Sequence, residues 1–224
     1  MFIGHFAVAF AAKRAAPRAS LGTLFIACEL VDLLWPVFLL FGLESVAIHP
    51  GDTAFTPLEF LSYPWTHSLL MCALWALAMG LLYFLIRKNA FAAAVVGAVV
   101  LSHWFLDALV HRPDLPLAPG GAARIGFGMW NSVAVTLIVE GAMFTAAVAL
   151  YLRSTRANDR IGSVGLWAML ALLIVSYGGA AFGPPPPNVA AIAWTGIAGG
   201  ILFGALGYWV DAHRTSVVES IQIR

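Results

Sequence analysis

The chain has 224 residues, of which 61% are hydrophobic and 10% charged, against roughly 45–50% apolar and about 25% charged in an ordinary soluble domain. That balance excludes a water-soluble monomer. Twelve Lys and Arg against eleven Asp and Glu leave a formal charge of +1 with no basic stripe, which argues against a nucleic-acid partner, and a mean hydropathy of +0.89 argues against disorder.

In chain order, the first element predicted is a short helix over residues Phe2 to Lys13. Its charges follow the apolar stretch instead of preceding it, so it reads as a retained segment and not as a secretory signal. Twelve residues cannot cross a bilayer, which leaves a re-entrant helix or one lying at the interface. Six apolar runs of about 20 residues come next, each long enough to span a hydrocarbon core of roughly 30 Å. They run from Leu21 to Leu43, Thr66 to Ile86, Ala90 to Leu109, Met129 to Leu152, Gly162 to Phe182 and Val189 to Val210. A spanning segment must bond its own backbone, and the runs lack the alternation of barrel strands. The expected fold is therefore an all-α, polytopic transmembrane bundle forming one integral membrane domain over residues 1–224. Within it, 1–17 hold the short helix, 18–152 spans one to four, and 153–224 spans five and six with a tail.

The connections set the expected orientation. Lys13, Arg14, Arg18, Arg87, Lys88, Arg153, Arg156, Arg160, Arg214 and Arg224 fall on one side, and only Arg112 and Arg124 on the other. By the positive-inside rule both termini are expected in the cytoplasm, in a bacterial inner membrane. The outer connections are the segment Glu44 to Trp65, rich in proline, and the stiff turn at Pro184 to Pro187. Cys28 and Cys72 lie inside apolar runs and match no disulfide or CxxC pattern. The two halves lack the matched broken helices of an inverted-repeat transporter. The eight tryptophans read as packing residues and interfacial anchors.

Carboxylates and histidines inside spans are costly and need partners or an aqueous cavity. Counting up from the basic side at 1.5 Å per residue, Asp32, His103 and Glu140 come out at roughly 20–22 Å and His67 and Asp107 at roughly 28–30 Å, one layer drawn from four spans. His5 joins that layer only if the first helix tilts or inserts deeply, and Glu29 sits half a turn below it. His103, Asp107 and His111 are spaced i, i+4, i+8 and are expected on one helix face. A histidine and a carboxylate at i, i+4 can hold one metal ion, with further ligands from facing helices. His49, Asp52 and Glu59 in the outer segment are expected to be solvated, and His213 to lie at the basic interface.

Four short motifs in order, Gly4-His5, Glu29-Leu-Val-Asp32, Thr66-His67-Ser68-Leu69 and Ser102-His103-Trp-Phe-Leu-Asp107, resemble the bacterial inner-membrane proteins known as membrane-bound metal-dependent hydrolases, related to the zinc-dependent phospholipase C group. The resemblance covers the first half of the chain. It implies that His5, Asp32, His67, His103 and Asp107 ligate metal, with zinc the default ion. Zinc with an open position makes a hydrolytic nucleophile from water at neutral pH. On this reading Glu140 is a general base or a carboxylate behind the ligands. His111 and Arg112 are expected to meet the phosphate of an amphiphilic or lipid substrate near the outer leaflet, surrounded by membrane lipids. Two alternatives stay open: an ion- or proton-coupled transporter using the same cluster, and a non-catalytic scaffold with a structural metal.

Overall fold

A computed structural model describes residues 1–217; Arg224, counted above among the basic residues, lies outside the described residues. Helix α1 (Ile3–Ala15) is followed by α2 (Leu21–Cys28) and α3 (Leu30–Leu40), a β-hairpin of β1 (Ser45–Ile48) and β2 (Leu58–Ser62), and a single helical turn, α4 (Pro64–His67). Then come α5 (Leu69–Arg87) and α6 (Ala90–Val110), the strand pair β3 (Leu115–Pro116) and β4 (Arg124–Ile125), and α7 (Val133–Ser154). Strand β5 (Thr155–Ala157), α8 (Leu166–Phe182, entered through a π-helical turn at Ile161–Gly165), α9 (Val189–Ala212) and β6 (Arg214–Ser216) complete the order.

Five helices, α5, α6, α7, α8 with its leading turn, and α9, are long and apolar enough to cross a membrane; α2 and α3 pass the same test only together, as a bent pair, which makes the count among the described residues five, or six if that pair is one span. The chain is a multi-span membrane protein by these lengths and hydropathies. Its outer surface agrees: Leu77, Ile86, Ile138 and Val175 are each about two thirds exposed, a belt that would be untenable in water but suits acyl chains. Five of the helices begin on a side chain that suits an N-cap. Ser20, Ser68, Asn89, Ser132 and Asn188 each accept a bond from the backbone N–H three residues on, at 2.8–3.4 Å.

Two of the expected spans are corrected. The first is not continuous: the helix breaks at Glu29, where α2 and α3 meet at 50°. Pro36 inside α3 adds a second discontinuity, since it has no N–H to give the carbonyl of Asp32. The second span starts at Leu69 and not at Thr66, because Ser68 is extended and caps α5, leaving Thr66 and His67 in the separate turn α4. The segment Glu44 to Trp65, expected as an irregular loop in an all-α protein, carries the antiparallel hairpin, with Val46 opposite Phe60 and Ile48 opposite Leu58.

Of the two placements open to the N-terminal helix, α1 takes the inserted one. It runs through the bundle between α2, α6 and α7, burying Phe6 and Phe10, whose rings meet Phe25 edge-on at 4.9 and 5.1 Å. The surrounding helices close tightly because glycines line two contacts. A Cβ on Gly97 would come within 3.0 Å of the Ala76 carbonyl across the α5–α6 hairpin, and one on Gly207 within 3.0 Å of Gly22 between α9 and α2. At one end of the bundle Lys13 pairs with Asp211 at 2.7 Å, His213 with Asp159 at 2.6 Å, and β5 with β6. The hairpin and the β3–β4 pair lie at the other end.

Candidate metal centre

Inside the bundle, residues 4–5, 32, 67, 103 and 107 converge from α1, α3, α4 and α6. His103 and Asp107, one turn apart on α6, stand on one face as their spacing predicts, with His103 Nε2 3.1 Å from Asp107 Oδ2. From α1, His5 lays its ring flat on that of His103, centroids 3.8 Å apart and planes within 3°. The stacking turns both Nε2 atoms the same way, so that His5 Nε2 meets the other Asp107 oxygen, Oδ1, at 3.1 Å. His67 approaches from α4, its Nε2 3.2 Å from Asp32 Oδ1 and 3.8 Å from Asp107 Oδ2. Asp32 also lies 3.6 Å from His103 Nε2. The α-amino group of Met1 donates to Asp107 Oδ1 at 2.6 Å.

Hydrogen bonds behind the ligands fix which imidazole nitrogen is free. His103 Nδ1 donates to the Cys28 carbonyl at 2.8 Å, the last residue of α2 before the break, so the break supplies the acceptor that orients this ring. Thr66 Oγ1 donates to Glu44 Oε2 at 2.7 Å and therefore accepts from His67 Nδ1, also at 2.7 Å. Glu44 is itself held by the backbone N–H groups of Trp65 and Thr66 at 2.8 and 2.9 Å. With Nδ1 protonated in both rings, both Nε2 atoms present lone pairs to carboxylate oxygens that also have only lone pairs to offer. His103 Nε2 is buried without any hydrogen-bond partner. Acceptors facing acceptors at this range are reconciled by a proton on Nε2 or by a cation between them, and the group could hold a metal ion.

The donor set fits such an ion. His5, Asp32 and His103 offer ligand atoms within 4.8 Å of one another, and so do His67, His103 and Asp107. Neighbouring ligands of a tetrahedral zinc at about 2.1 Å stand roughly 3.4 Å apart; the five imidazole–carboxylate separations here span 3.1–3.8 Å. Four members are almost fully enclosed, whereas Asp32 keeps about a third of its side chain exposed, at 36%. The centre therefore opens on the α3 side and is sealed elsewhere.

The five residues expected as ligands are thus brought together; of the three expected around them, Glu140 stands behind His5 through the backbone of α1, whereas His111 and Arg112 stand apart in the cap. Glu140, fully buried on α7, accepts from the N–H groups of Phe2 and Gly4 through one oxygen, at 2.9 and 3.0 Å, and so anchors the start of α1. His111 does not continue the face of His103 and Asp107. Helix α6 ends at Val110 and His111 is already extended, because Pro113 disfavours helical backbone at Arg112. Its ring packs against Trp130 and Phe60, centroids 4.5 and 4.7 Å away, and its Nδ1 donates to Asp114 at 3.0 Å. Arg112 is surrounded by its own chain's acids: Asp52 at 2.5 Å, Asp114 at 3.3 Å and Glu59 at 3.8 Å. Asp52, expected in solvent, keeps only 6% of its side chain exposed for that reason, while His49 stays 66% exposed beside Glu59. His213 lies at the end expected for it, paired to Asp159.

Outside the spans, the groups of this cap perturb one another. Burial alone would raise the Asp114 carboxyl, but bonds from His111, Tyr63 and Arg112 outweigh it and hold the group below the usual carboxylate range. Tyr63, whose hydroxyl donates to Asp114 at 2.7 Å, is raised by burial and by that negative charge. Sequence reasoning missed Tyr63, the supporting pair Glu44 and Thr66, and the Cys28 carbonyl. Only Thr66 carried a signal, as the neighbour of His67.

No protein-family model, curated protein or solved structure matches the chain. The residues of the centre carry the functional argument by themselves.

Proposed function

We propose that the chain is a membrane-embedded, metal-dependent hydrolase acting on an ester or phosphoester of an amphiphilic lipid substrate. One observation carries the reading: the free Nε2 atoms of His67 and His103 converge with His5 on the carboxylates of Asp32 and Asp107, an arrangement of acceptors that a divalent cation completes. Zinc is the ion favoured by the mixed imidazole and carboxylate set and by the family resemblance, and when bound it acidifies water to a pKa of about 7, giving a nucleophile at neutral pH. His5, Asp32, His67, His103 and Asp107 hold it. Thr66, Glu44 and the Cys28 carbonyl orient the histidines, as partners behind metal ligands generally do. Glu140 is a positioning residue for His5, through the N–H groups of α1 that it holds.

The exposure of Asp32 alone among the ligands supports a lipid substrate, since the approach is lateral, along α3, within the bilayer. With the basic end in the cytoplasm of a bacterial inner membrane, that approach lies in the outer half. His111 and Arg112 then shape the cap above the centre instead of gripping a phosphate.

A second reading, ion-coupled transport, has the break at Glu29 in its favour, because discontinuous helices line ion sites in carriers. It has no matching broken helix pair among the described residues, and the break already serves His103. Elemental mass spectrometry of the detergent-purified protein tests the proposal. One or two equivalents of zinc, absent from a His67→Ala, His103→Ala double variant, together with metal-dependent cleavage of a lipid phosphoester, is the expected result. A wild-type protein that takes up no metal after zinc loading overturns it. Metal bound without cleavage, accompanied by cation-driven uptake in proteoliposomes, favours transport.

A further inference from the structure

Trp35 stands on α3 three residues beyond Asp32, and that spacing puts the two side chains on one face of the helix, a turn apart. Its ring lies 5.5 Å from that of Phe60 and 6.1 Å from the imidazole of His67, which it meets at 81°. His67 therefore joins the two, through Nε2 to the Asp32 carboxylate and through its ring to the indole. Trp35 is only 8% exposed, yet its Nε1–H has no hydrogen-bond partner among the described residues. Other tryptophans show what the fold does with such a donor elsewhere. Trp75 gives its N–H to the Trp65 carbonyl at 3.0 Å, and Trp104 gives its own to the Pro116 carbonyl at 3.2 Å. Trp130 also lacks a partner among the described residues, but its ring packs on His111 in the cap.

An indole N–H donates and never accepts, so only an acceptor completes it. Leaving it unpaired in the apolar interior of a bundle is costly. Its place in the fold narrows the acceptor down. Asp32 is the residue through which the cluster opens, and Trp35 is its neighbour on the same helix. A substrate that enters along α3 brings to this point an ester, whose carbonyl or phosphoryl oxygen is an acceptor. During hydrolysis negative charge gathers on that oxygen, and a donor already fixed beside it counts for more as the charge grows. Phe60 and His67 pack against the indole ring and hold it in place.

We propose that Trp35 Nε1–H donates a hydrogen bond to the carbonyl or phosphoryl oxygen of the scissile ester. The proposal rests on the hydrolase reading and adds to it a substrate-contacting residue outside the five that would hold metal. The indole keeps its proton throughout; one water is consumed, its OH joining the carbonyl carbon or phosphorus and its other proton leaving with the alcohol. Trp35→Phe tests this, because it keeps an aromatic ring and removes the donor. A lipid phosphoester and a lipid carboxylic ester serve as substrates. A lipid phosphonate serves either chemistry as a probe, as an uncleavable phosphoester or as a tetrahedral likeness of a carboxylic ester under attack. On the ester that the wild type cleaves, the variant is expected to lose about 100-fold in kcat. It is also expected to bind the phosphonate about tenfold more weakly, with wild-type zinc content and thermal stability. Trp130→Phe, which removes the other unpaired indole donor, is expected to do none of this, and an equal loss there overturns the proposal. A Trp35→Phe protein that matches the wild type in rate and phosphonate affinity also overturns it and leaves the hydrolase reading standing. A zinc-loaded wild type that cleaves neither ester and binds no phosphonate overturns the hydrolase reading, and this proposal with it. If Trp35→Phe fails to fold, the 15N-labelled wild type decides. One of its eight indole N–H signals is expected to move downfield when the phosphonate binds, and eight unmoved signals overturn the proposal.

Discussion

Asp107 and Arg112 are five residues apart, yet the polar groups gathered around them are built in opposite ways. Around Arg112, the carboxylates of Asp52, Glu59 and Asp114 are met by a guanidinium and by hydroxyl and imidazole donors. That network carries its own cation and is complete. Around Asp107, three imidazoles and two carboxylates meet, but hydrogen bonds behind His67 and His103 have committed their protons elsewhere. The Met1 amino group meets one oxygen of Asp107 and leaves the other facing His103 Nε2. Similar residue types thus make a finished structural clasp in one place and, in the other, a cluster that could hold a metal ion. What decides between them is where the donors point, not which residues are present.

Asp107 is the sharpest place to test that contrast. Its two oxygens face different histidines, so Asp107→Asn replaces one acceptor by a donor in the middle of the shell. Zinc affinity is expected to fall by more than about 100-fold, beyond the loss usual for a residue one step removed from the metal, while the helical circular dichroism is retained. A variant that binds zinc as the wild type does would remove Asp107 from the ligand set. Thr66→Val comes next in size. It cuts the link from Glu44 to His67 without touching a ligand, and about a 10–100-fold loss of zinc affinity is expected. If isothermal titration finds none, the orientation of His67 is set by packing against Trp35 and Tyr63 and not by Thr66.

The residues of the cluster were legible in the sequence because cost makes them conspicuous: His and Asp within apolar runs stand out, and i, i+4 spacing on a regular helix fixes the relation of His103 to Asp107. His5 depended on how deep a 13-residue helix inserts, which its own sequence leaves open. Glu140, whose two bonds hold the top of α1 in place, lies 136 residues from Gly4, so no local pattern joins them. A shorter separation, 22 residues, hid Glu44, which reaches Thr66 only because the β1–β2 hairpin folds back. His111 was misplaced for a different reason. Its spacing matched the face of α6, but Pro113 ended the helix first, and that signal stood in the sequence. The Cys28 carbonyl is backbone and carries no residue-type signal.

On the other side of the comparison, effects shrink. Arg112→Gln opens the clasp, and because the guanidinium is about one third exposed (35%), the loss is expected to be about 0.5–1 kcal/mol in thermal unfolding. Zinc content is expected to stay unchanged. A loss of metal in this variant would show that the cap and the centre are one unit.

Acid should reveal the smallest term. Asp114 is held below the usual carboxylate range by His111, Tyr63 and Arg112 against the upward push of burial. A carboxyl depressed on folding contributes stability that is fully present above its unfolded pKa, about 3.9, and is lost as pH falls through the lower folded value. Asp114→Asn lacks this dependence. The wild type is therefore expected to unfold at a higher temperature than the variant at pH 5 and 7, and the gap should narrow only below about pH 4. A gap that is absent at pH 5 and 7 would show that the Asp114 carboxylate is not what holds the cap shut, and that packing of the His111 ring against Trp130 and Phe60 suffices.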